Sequence, residues 1–520
     1  MGAGLSLQGE GGGSLSSSRA TLLLLTGVAF VASILCAQLL DGVPHVSDEV
    51  AYLQQAKLFA SGARVGPAAA SESMAMFPFI ETREAFYGVF PPGWPALLSI
   101  GVLLGVPWLI NPIIAAALPF LTWRLLSPHF KESTALLAAA AIAASPGVWI
   151  LAGSHMSQTS VLAALLFAAG VATRPDERTG LLAAAGAACG YVILARPFDG
   201  VIFGGAILLF AAARNRSLNR LVALALPPMV ACLLLLLDNQ RITGSPLTFP
   251  VNAWFDHWVS DLPALPGCNA LGFGEEIGCY ETLGEHGHSP AKAAAIAAMS
   301  LQRFDRLLLG VPGASLLLLV GAWRLGRRSL LPIALSLLVV AAYALYWSPG
   351  LAYGARFWHP IYIAAPLLLA AALSGLPQRV AFGVVAGAAL LGSTPLLKSL
   401  SSNYWCANGD LSAAMERIAP TNGVLFLRTE ASAPSAWPEL GVDEFLCDAL
   451  TESTNGFHLN DPTGEGLTVR HALSSVEETE YYMSEIHPGE PAWLAVNPGL
   501  SGPLRLHELS DGEWRPLPLK

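Results

Sequence analysis

The amino-acid sequence predicts an all-α polytopic membrane protein of about eleven transmembrane helices, with a large first outer loop and a small soluble C-terminal α/β domain. Three observations support this prediction. Only 12% of the 520 residues are charged, whereas about a quarter are charged in a soluble domain. The apolar residues form runs long enough to cross a bilayer. Acidic residues are concentrated in the tail, since residues 401–520 hold 18 acidic and 6 basic residues.

The net charge of −9 therefore belongs to the tail, because residues 1–400 hold 19 acidic and 22 basic residues. Without a basic surface, the chain has no expected nucleic-acid partner. We predict three parts. Residues 1–20 form a disordered cytoplasmic tail rich in Gly and Ser, residues 21–400 form the transmembrane domain, and residues 401–520 form the soluble domain.

The first apolar run, residues 21–40, is uncharged and long enough to act as a signal anchor. Residues 94–106 are too short to span comfortably, so we interpret them as a re-entrant or interfacial segment. Ten further runs are predicted to span the membrane: 107–126, 133–151, 156–173, 180–195, 199–213, 218–237, 306–323, 329–347, 359–375 and 379–397.

Basic residues determine the predicted orientation. If residues 94–106 do not cross, five short turns on the cytoplasmic side contain eleven basic residues, as the positive-inside tendency expects. The protein then lies in the cytoplasmic (inner) membrane, with outer loops at 41–106 and 238–305 and the C-terminal domain on the outer, periplasmic side. The eleven residues are Arg124, Lys131, Arg174, Arg178, Arg214, Arg216, Arg220, Arg324, Arg327, Arg328 and Arg379.

Four of the seven cysteines lie on this predicted outer side, where disulfides persist. We predict the pairs Cys268–Cys279 and Cys406–Cys447, with four unpaired thiols as the alternative. No two cysteines have CxxC spacing, so no zinc or redox motif is indicated.

The first outer loop contains the segment SDEVAYLQQAKLFASG, which begins at Ser47. Its apolar residues recur at helical spacing, which predicts a short amphipathic helix on the membrane surface. Asp48 and Glu49 lie in its first turn, and Asp48 lies on the edge of the buried face. Both are candidate catalytic carboxylates; the alternative is that they only complement the helix dipole.

Other outer turns also carry polar groups. His155 lies in SHMSQTS, Arg196 and Asp199 lie in ARPFDG, and Tyr353 and Arg356 lie in SPGLAYGARFWHP. The two arginines run against the charge bias of the outer side, and a phosphate anion would explain them. The alternative is that their side chains reach the interface from helix ends.

These motifs resemble the C-type (GT-C) glycosyltransferase superfamily, in particular its bacterial branch of protein mannosyltransferases and aminoarabinose transferases of lipid A. The Asp48-Glu49 pair, PPGWP, RPFDG, NQRITGSPLTFP and YGARFWHP stand in the order of the family's landmarks, over roughly residues 20 to 400. In one departure, Val89 and Phe90 precede the paired prolines, where the aminoarabinose transferases have a lysine just before them.

The resemblance implies a helical bundle whose donor is a sugar on a polyprenyl phosphate, with Asp48 as the base. Such a transfer needs a base for the acceptor hydroxyl and positive charge at the phosphate. We therefore predict an inverting glycosyltransferase that acts at the outer face of the cytoplasmic membrane on a glycan, lipid or protein acceptor. Substrate-binding candidates are Arg356, Arg196, Tyr353, His155 and Asp199.

No recognised motif in the sequence predicts a cofactor. A divalent metal stays an alternative, because Asp41, His45, Asp48 and Glu49 are close in sequence, although their spacing is no known metal signature. Two other functions are alternatives. A polysaccharide polymerase or ligase would lack the early Asp-Glu helix, and a lipid or sugar transporter would carry charges at helix midpoints and inverted repeats.

Overall fold

The computed structural model of the chain describes all residues except 1–10, 70–76, 175–177, 215–216, 259–269, 279–285, 351, 441, 474 and 519–520. The predicted Cys268–Cys279 pair lies outside the described residues. Of the other predicted pair, Cys406 and Cys447 form a disulfide, as expected.

Helices make up most of residues 11–400. They are α1 Gly11–Leu39, α2 Ser47–Ala60, α3 Gly93–Leu103, α4 Ile110–Leu126, α5 Glu132–Ala143, α6 Pro146–Gly153, α7 Gln158–Ala172, α8 Thr179–Ala195, α9 Pro197–Arg214 with a π-helical segment Gly200–Gly204, α10 Leu218–Thr243, α11 Pro250–Trp258, α12 Pro290–Leu309, α13 Leu316–Leu325, α14 Leu330–Tyr343, α15 Ala365–Leu373 and α16 Gln378–Leu400. A 3-10 segment, Arg356–Ile363, precedes α15.

The chain is a multi-pass membrane protein, but the predicted count of eleven spans is not confirmed. Six stretches of the described helices are long and apolar enough to cross a membrane, and two bent helix pairs raise the number to eight. The predicted span 133–151 is bent by 49° between α5 and α6, and helices α7 and α8 have only 15 and 17 residues. The count differs because apolar runs do not reveal where a helix breaks.

One break falls at a predicted inner turn. Residues 316–343 form one apolar stretch, but Gly326 has φ +55° and interrupts it between α13 and α14. Arg324, Arg327 and Arg328 lie at this interruption, where a left-handed glycine allows the chain to change direction.

Residues 94–106 form a helix that does not extend across a bilayer. Helix α3 has 11 residues, or about 17 Å at 1.5 Å per residue, against about 30 Å of hydrocarbon. Gly105 follows with φ +73°, and the chain turns at once into the span that begins at Pro107. This geometry fits the predicted re-entrant segment.

The C-terminal region contains a five-stranded sheet in the order β6-β3-β7-β8-β9. Strands β6, β3 and β7 are parallel, and β8 and β9 are antiparallel additions. The strands of this sheet are β3 Gly423–Arg428, β6 Leu467–His471, β7 Ala492–Val496, β8 Arg505–Ser510 and β9 Glu513–Leu517. A separate hairpin consists of β4 Ala433–Trp437 and β5 Val442–Cys447. In the predicted first outer loop, β1 Ile80–Glu81 pairs with β2 Tyr87–Gly88. The four helices are α17 Asp410–Ile418, α18 Ala449–Glu452, α19 Thr454–Phe457 and α20 Val476–Ile486.

The C-terminal sheet and the first outer loop share one hydrophobic core. Val50 and Leu58 of α2 and Phe77 of the loop pack with Leu425 and Trp493 of the sheet. The rings of Phe77 and Phe457 stack with centroids 4.7 Å apart. Residues of helix α2 thus pack in two hydrophobic clusters, one of them shared with the C-terminal sheet, a contact that the predicted amphipathic surface helix did not include.

Candidate active site

Helix α2 begins at Ser47, a few residues after α1 ends at Leu39, and this places Asp48 near the end of α1 that is predicted to lie outside. The Asp48 Oδ2 atom lies 3.1 Å from Nη1 of Arg356, at the start of the 3-10 segment. Both side chains are partly shielded, with 19% and 13% of their surface exposed. The structure thus brings the predicted base and the first predicted phosphate ligand into one ion pair.

The Arg356 guanidinium has unused hydrogen-bond donors. Its Nε and Nη1 atoms have no hydrogen-bond partner among the described residues, since the contact with Asp48 lacks hydrogen-bond alignment. The group also lies 5.2 Å from the centre of the Phe357 ring, which holds it by a cation–π contact. A guanidinium with free, oriented donors is suited to bind a phosphate group.

Glu49 is fully buried and accepts four hydrogen bonds. Its Oε2 atom accepts from the backbone N–H groups of His45 at 2.8 Å and Val46 at 3.2 Å, and from the Tyr353 hydroxyl at 2.8 Å. Its Oε1 atom accepts from the N–H of His155 at 2.6 Å. Burial raises the pKa of Glu49, and these donors oppose the shift. The carboxylate joins three segments and has little capacity left for substrate.

Arg196 and Asp199 form a second pair beside the first. Arg196 Nε lies 2.6 Å from Asp199 Oδ2, and the hydroxyl of Tyr343 donates to Asp199 Oδ1 at 2.5 Å. Arg196 also donates to the oxygen of Tyr343 at 3.1 Å. Arg196 thus has two donors in use, whereas Arg356 makes no comparable hydrogen bonds with its Nε and Nη1 atoms, so Arg196 is less available to an anion than Arg356.

His155 and Tyr353 have surroundings that differ from those expected for direct substrate ligands. Tyr353 is buried and its hydroxyl is engaged by Glu49. Burial lowers the pKa of His155 to about 3, and His458 and His45 act in the same direction, so this imidazole is neutral. Both ring nitrogens of His155 have no partner among the described residues.

Sequence reasoning missed Tyr52, one helical turn after Asp48. Burial and the Asp48 carboxylate raise the pKa of Tyr52, whereas the charges of Arg196 and Arg356 oppose the shift. The phenol therefore lies among the charged groups of the site. Its position at i+4 from Asp48 was a usable signal, because residues four apart share one helix face.

The acidic and imidazole groups proposed for a metal are used elsewhere. Asp41 accepts from the N–H of Gly409, and both His45 ring nitrogens face carbonyl oxygens of Tyr404 and Leu40. Among the described residues, no group of three or more His, Cys, Asp or Glu is placed to hold a metal ion.

An open groove lies beside the site on the bundle surface. Its volume is about 550 Å³, and its wall is apolar except for Ser160 and Tyr191, whose hydroxyls are joined at 2.6 Å. Its other lining residues come from α3, α4 and α8: Gly93, Ala96, Leu97, Ile100, Ile114 and Leu194.

The fold is similar to that of solved structures of ArnT from Cupriavidus metallidurans. The structure bound to undecaprenyl phosphate has a TM-score of 0.54 and 13% identity, over 94% of this chain and 93% of that chain. The apo structure has a TM-score of 0.54 and 14% identity, over 92% and 93%. The apo oligosaccharyltransferase of Archaeoglobus fulgidus matches with a TM-score of 0.40 and 12% identity, over 90% and 69%.

No family model and no curated protein sequence matches the chain. The similarity to ArnT, at 13% and 14% identity, shows the fold alone. The resemblance predicted from the motifs is therefore confirmed at the level of the fold.

Proposed function

We propose that this protein is an inverting glycosyltransferase that moves a sugar from a polyprenyl-phosphate donor to an acceptor hydroxyl on the outer face of the cytoplasmic membrane. The observation that carries the proposal is the Asp48–Arg356 ion pair; its outer placement rests on the charge of the predicted inner turns. It joins a base and a phosphate ligand, the two groups that this transfer needs.

The pair also defines an order of events. When the donor arrives, its phosphate competes for the free Nε and Nη1 donors of Arg356, and the Asp48 carboxylate is released from its counter-ion. Asp48 then takes the proton of the acceptor hydroxyl while that oxygen forms a bond to the anomeric carbon. The bond from this carbon to the phosphate oxygen breaks, and the electron pair leaves with the polyprenyl phosphate, which Arg356 stabilises. Displacement from the opposite face inverts the anomeric carbon.

The apolar groove supports a polyprenyl donor, because an isoprenoid chain needs a long apolar surface that is open to the bilayer. The similarity to an ArnT structure bound to undecaprenyl phosphate is in line with this ligand class.

The test is the variant Asp48→Asn, which keeps the size of the side chain but removes its basicity. We expect turnover to fall by about a hundredfold or more, with nearly unchanged donor binding. If the carboxylate only complemented the helix dipole, the variant would instead lose roughly 1 kcal/mol of stability and keep its turnover.

Purified full-length protein can be incubated with lipid-linked sugars extracted from host membranes, and free polyprenyl phosphate measured by mass spectrometry. Asp410→Asn is a matched control, because Asp410 also lies in the first turn of a helix but is exposed and lies outside the site. Full turnover by Asp48→Asn would exclude the base assignment.

A further inference from the structure

The chain between α6 and α7 is a short non-helical linker, residues 154–157, and it is buried inside the bundle. Side chains from other helices hold its backbone. Asn111 donates to the carbonyls of Ser154 and Met156, both at 2.8 Å, and Trp94 donates to the carbonyl of His155 at 2.7 Å. The start of α7 is thus firmly positioned.

The side chains at this helix start are polar and buried, and those of Gln158 and Thr159 are also unpartnered. Ser157 and Thr159 have no exposed surface, and Gln158 has 3%. The Thr159 Oγ1 and both amide atoms of Gln158 have no hydrogen-bond partner among the described residues, whereas the Ser157 hydroxyl faces the Tyr52 phenol. A buried polar group without a partner has lost its hydration without compensation, so three such atoms on two neighbouring residues indicate a polar ligand.

The helix end itself favours an anion. Helix α7 has 15 residues, and the side chain of its N-cap, Ser157, makes no capping hydrogen bond. The first N–H groups of a helix have no partner within the helix, and its dipole places positive potential at that end. Phosphate groups are bound at such helix starts in many proteins.

The start of α7 lies between the groove and the ion pair. One turn further along, Ser160 lines the groove with Tyr191. On the other side, Ser157 adjoins Tyr52, which lies among the charges of Asp48, Arg196 and Arg356. The 3-10 segment that begins at Arg356 packs against α7. A phosphate whose lipid chain occupies the groove would therefore reach the start of α7 and Arg356 together.

We propose that the first turn of α7, with Ser157, Gln158 and Thr159, forms a phosphate-binding element that holds the donor phosphate opposite Arg356. This inference rests on the proposed function, and it assigns the phosphate to hydroxyl, amide and backbone N–H donors in addition to the guanidinium. The element recognises the phosphate ester of the donor lipid. Free inorganic phosphate can accept hydrogen bonds from the same groups.

The test measures binding of undecaprenyl phosphate to the purified full-length protein in detergent. Ser157→Ala and Thr159→Val each remove one hydroxyl with little change of shape. We expect each to weaken binding by about threefold to tenfold, and both together by more. Thr122→Val is the matched control, because Thr122 is also a buried threonine without a partner among the described residues but belongs to α4. It should bind as the parent does.

Two further ligands separate the sources of affinity. Undecaprenol, which lacks the phosphate, should bind parent and variants equally, and inorganic phosphate should compete with undecaprenyl phosphate less well in the variants than in the parent. Equal losses for undecaprenol, or unchanged binding of undecaprenyl phosphate in both variants, would overturn the inference. If Arg356→Ala still weakened binding in that case, the proposed function would stand; if the parent bound no undecaprenyl phosphate at all, the proposed function itself would fail.

Discussion

Asp48 and Arg356 lie more than 300 residues apart in the chain, yet their side chains form an ion pair of 3.1 Å. Sequence reasoning assigned them separate roles, as base and as phosphate ligand. It could not predict that they touch, because a motif shows the type of side chain and its place on an element but not the distance between two elements. In the proposed function, Arg356 therefore binds the phosphate and is also the counter-ion of Asp48.

Replacement of Arg356 tests this double role. We expect Arg356→Ala to weaken donor binding severely, because the guanidinium supplies the free Nε and Nη1 donors. Arg356→Lys should restore binding only in part, since an ammonium group cannot form the planar fork. Binding of undecaprenyl phosphate and turnover should be measured for both variants. Near-parental binding in both would move the phosphate site to Arg196.

Glu49 stands beside Asp48 in sequence but has a different environment. Its four donors come from His45, Val46, His155 and Tyr353. We infer that Glu49 is a positioning residue that holds α2 against the segment leading to Arg356. The Asp-Glu motif alone could not separate the two carboxylates, because both lie in the first turn of the same helix.

Glu49→Gln should therefore act on stability before it acts on chemistry. In the variant, an amide NH2 group replaces one carboxylate oxygen and faces N–H or O–H groups that now donate to that oxygen. We therefore expect a loss of roughly 2 to 4 kcal/mol of unfolding free energy. Thermal unfolding in detergent, with Asp48→Asn in parallel, checks this. A Glu49→Gln protein that melts with the parent but has lost its turnover would instead make Glu49 the catalytic carboxylate.

At the scale of elements, helix α2 shows both the strength and the limit of sequence reasoning. The predicted helix in the first outer loop is present, from Ser47 to Ala60. Its apolar spacing indicated one buried face, but the second face is covered by the C-terminal region, which begins about 350 residues later. Gln54 and Lys57 donate to carbonyls of residues 457, 458 and 460 there, a contact that no local pattern could reveal.

The segment Tyr404–Cys406 links the same two regions. The Tyr404 hydroxyl accepts from the N–H of Tyr353 at 2.6 Å, and its carbonyl faces His45 Nδ1 at 2.5 Å. Cys406 follows and is joined to Cys447 at the end of β5. The predicted disulfide thus fastens a segment that contacts the loop before Arg356. The sequence predicted this pair only because both cysteines lie on the same predicted side of the membrane, and that argument could not reveal the contact.

Removal of this disulfide should loosen the segment. We expect the double variant Cys406→Ser/Cys447→Ser to lose about 2 to 4 kcal/mol of stability and to show lower turnover, because Tyr404 no longer holds Tyr353. Cys232→Ser is the control, since Cys232 is a free cysteine of α10. Thermal unfolding and turnover should be compared; an unchanged melting temperature in the double variant would contradict the expectation.

At the scale of the whole molecule, composition and hydrophobic runs predicted a membrane bundle with a separate α/β tail, and the motif order predicted the fold class. The span count was less accessible, because helices α7 and α8 have only 15 and 17 residues and the predicted span 133–151 is bent between α5 and α6. Orientation still rests on the charge argument. It assigns Arg174 and Lys131 to the inner side and the acidic C-terminal region to the outer side.

Cysteine labelling tests that orientation directly. Ser484 is exposed on α20 of the C-terminal region, and Lys131 is exposed in the turn between α4 and α5. Because one is predicted outside and the other inside, an impermeant maleimide should label Ser484→Cys in spheroplasts and Lys131→Cys only after lysis. The parent chain supplies the background from its native cysteines. The reverse pattern would place the Asp48–Arg356 pair on the cytoplasmic side, and the donor would then have to present its sugar to that face.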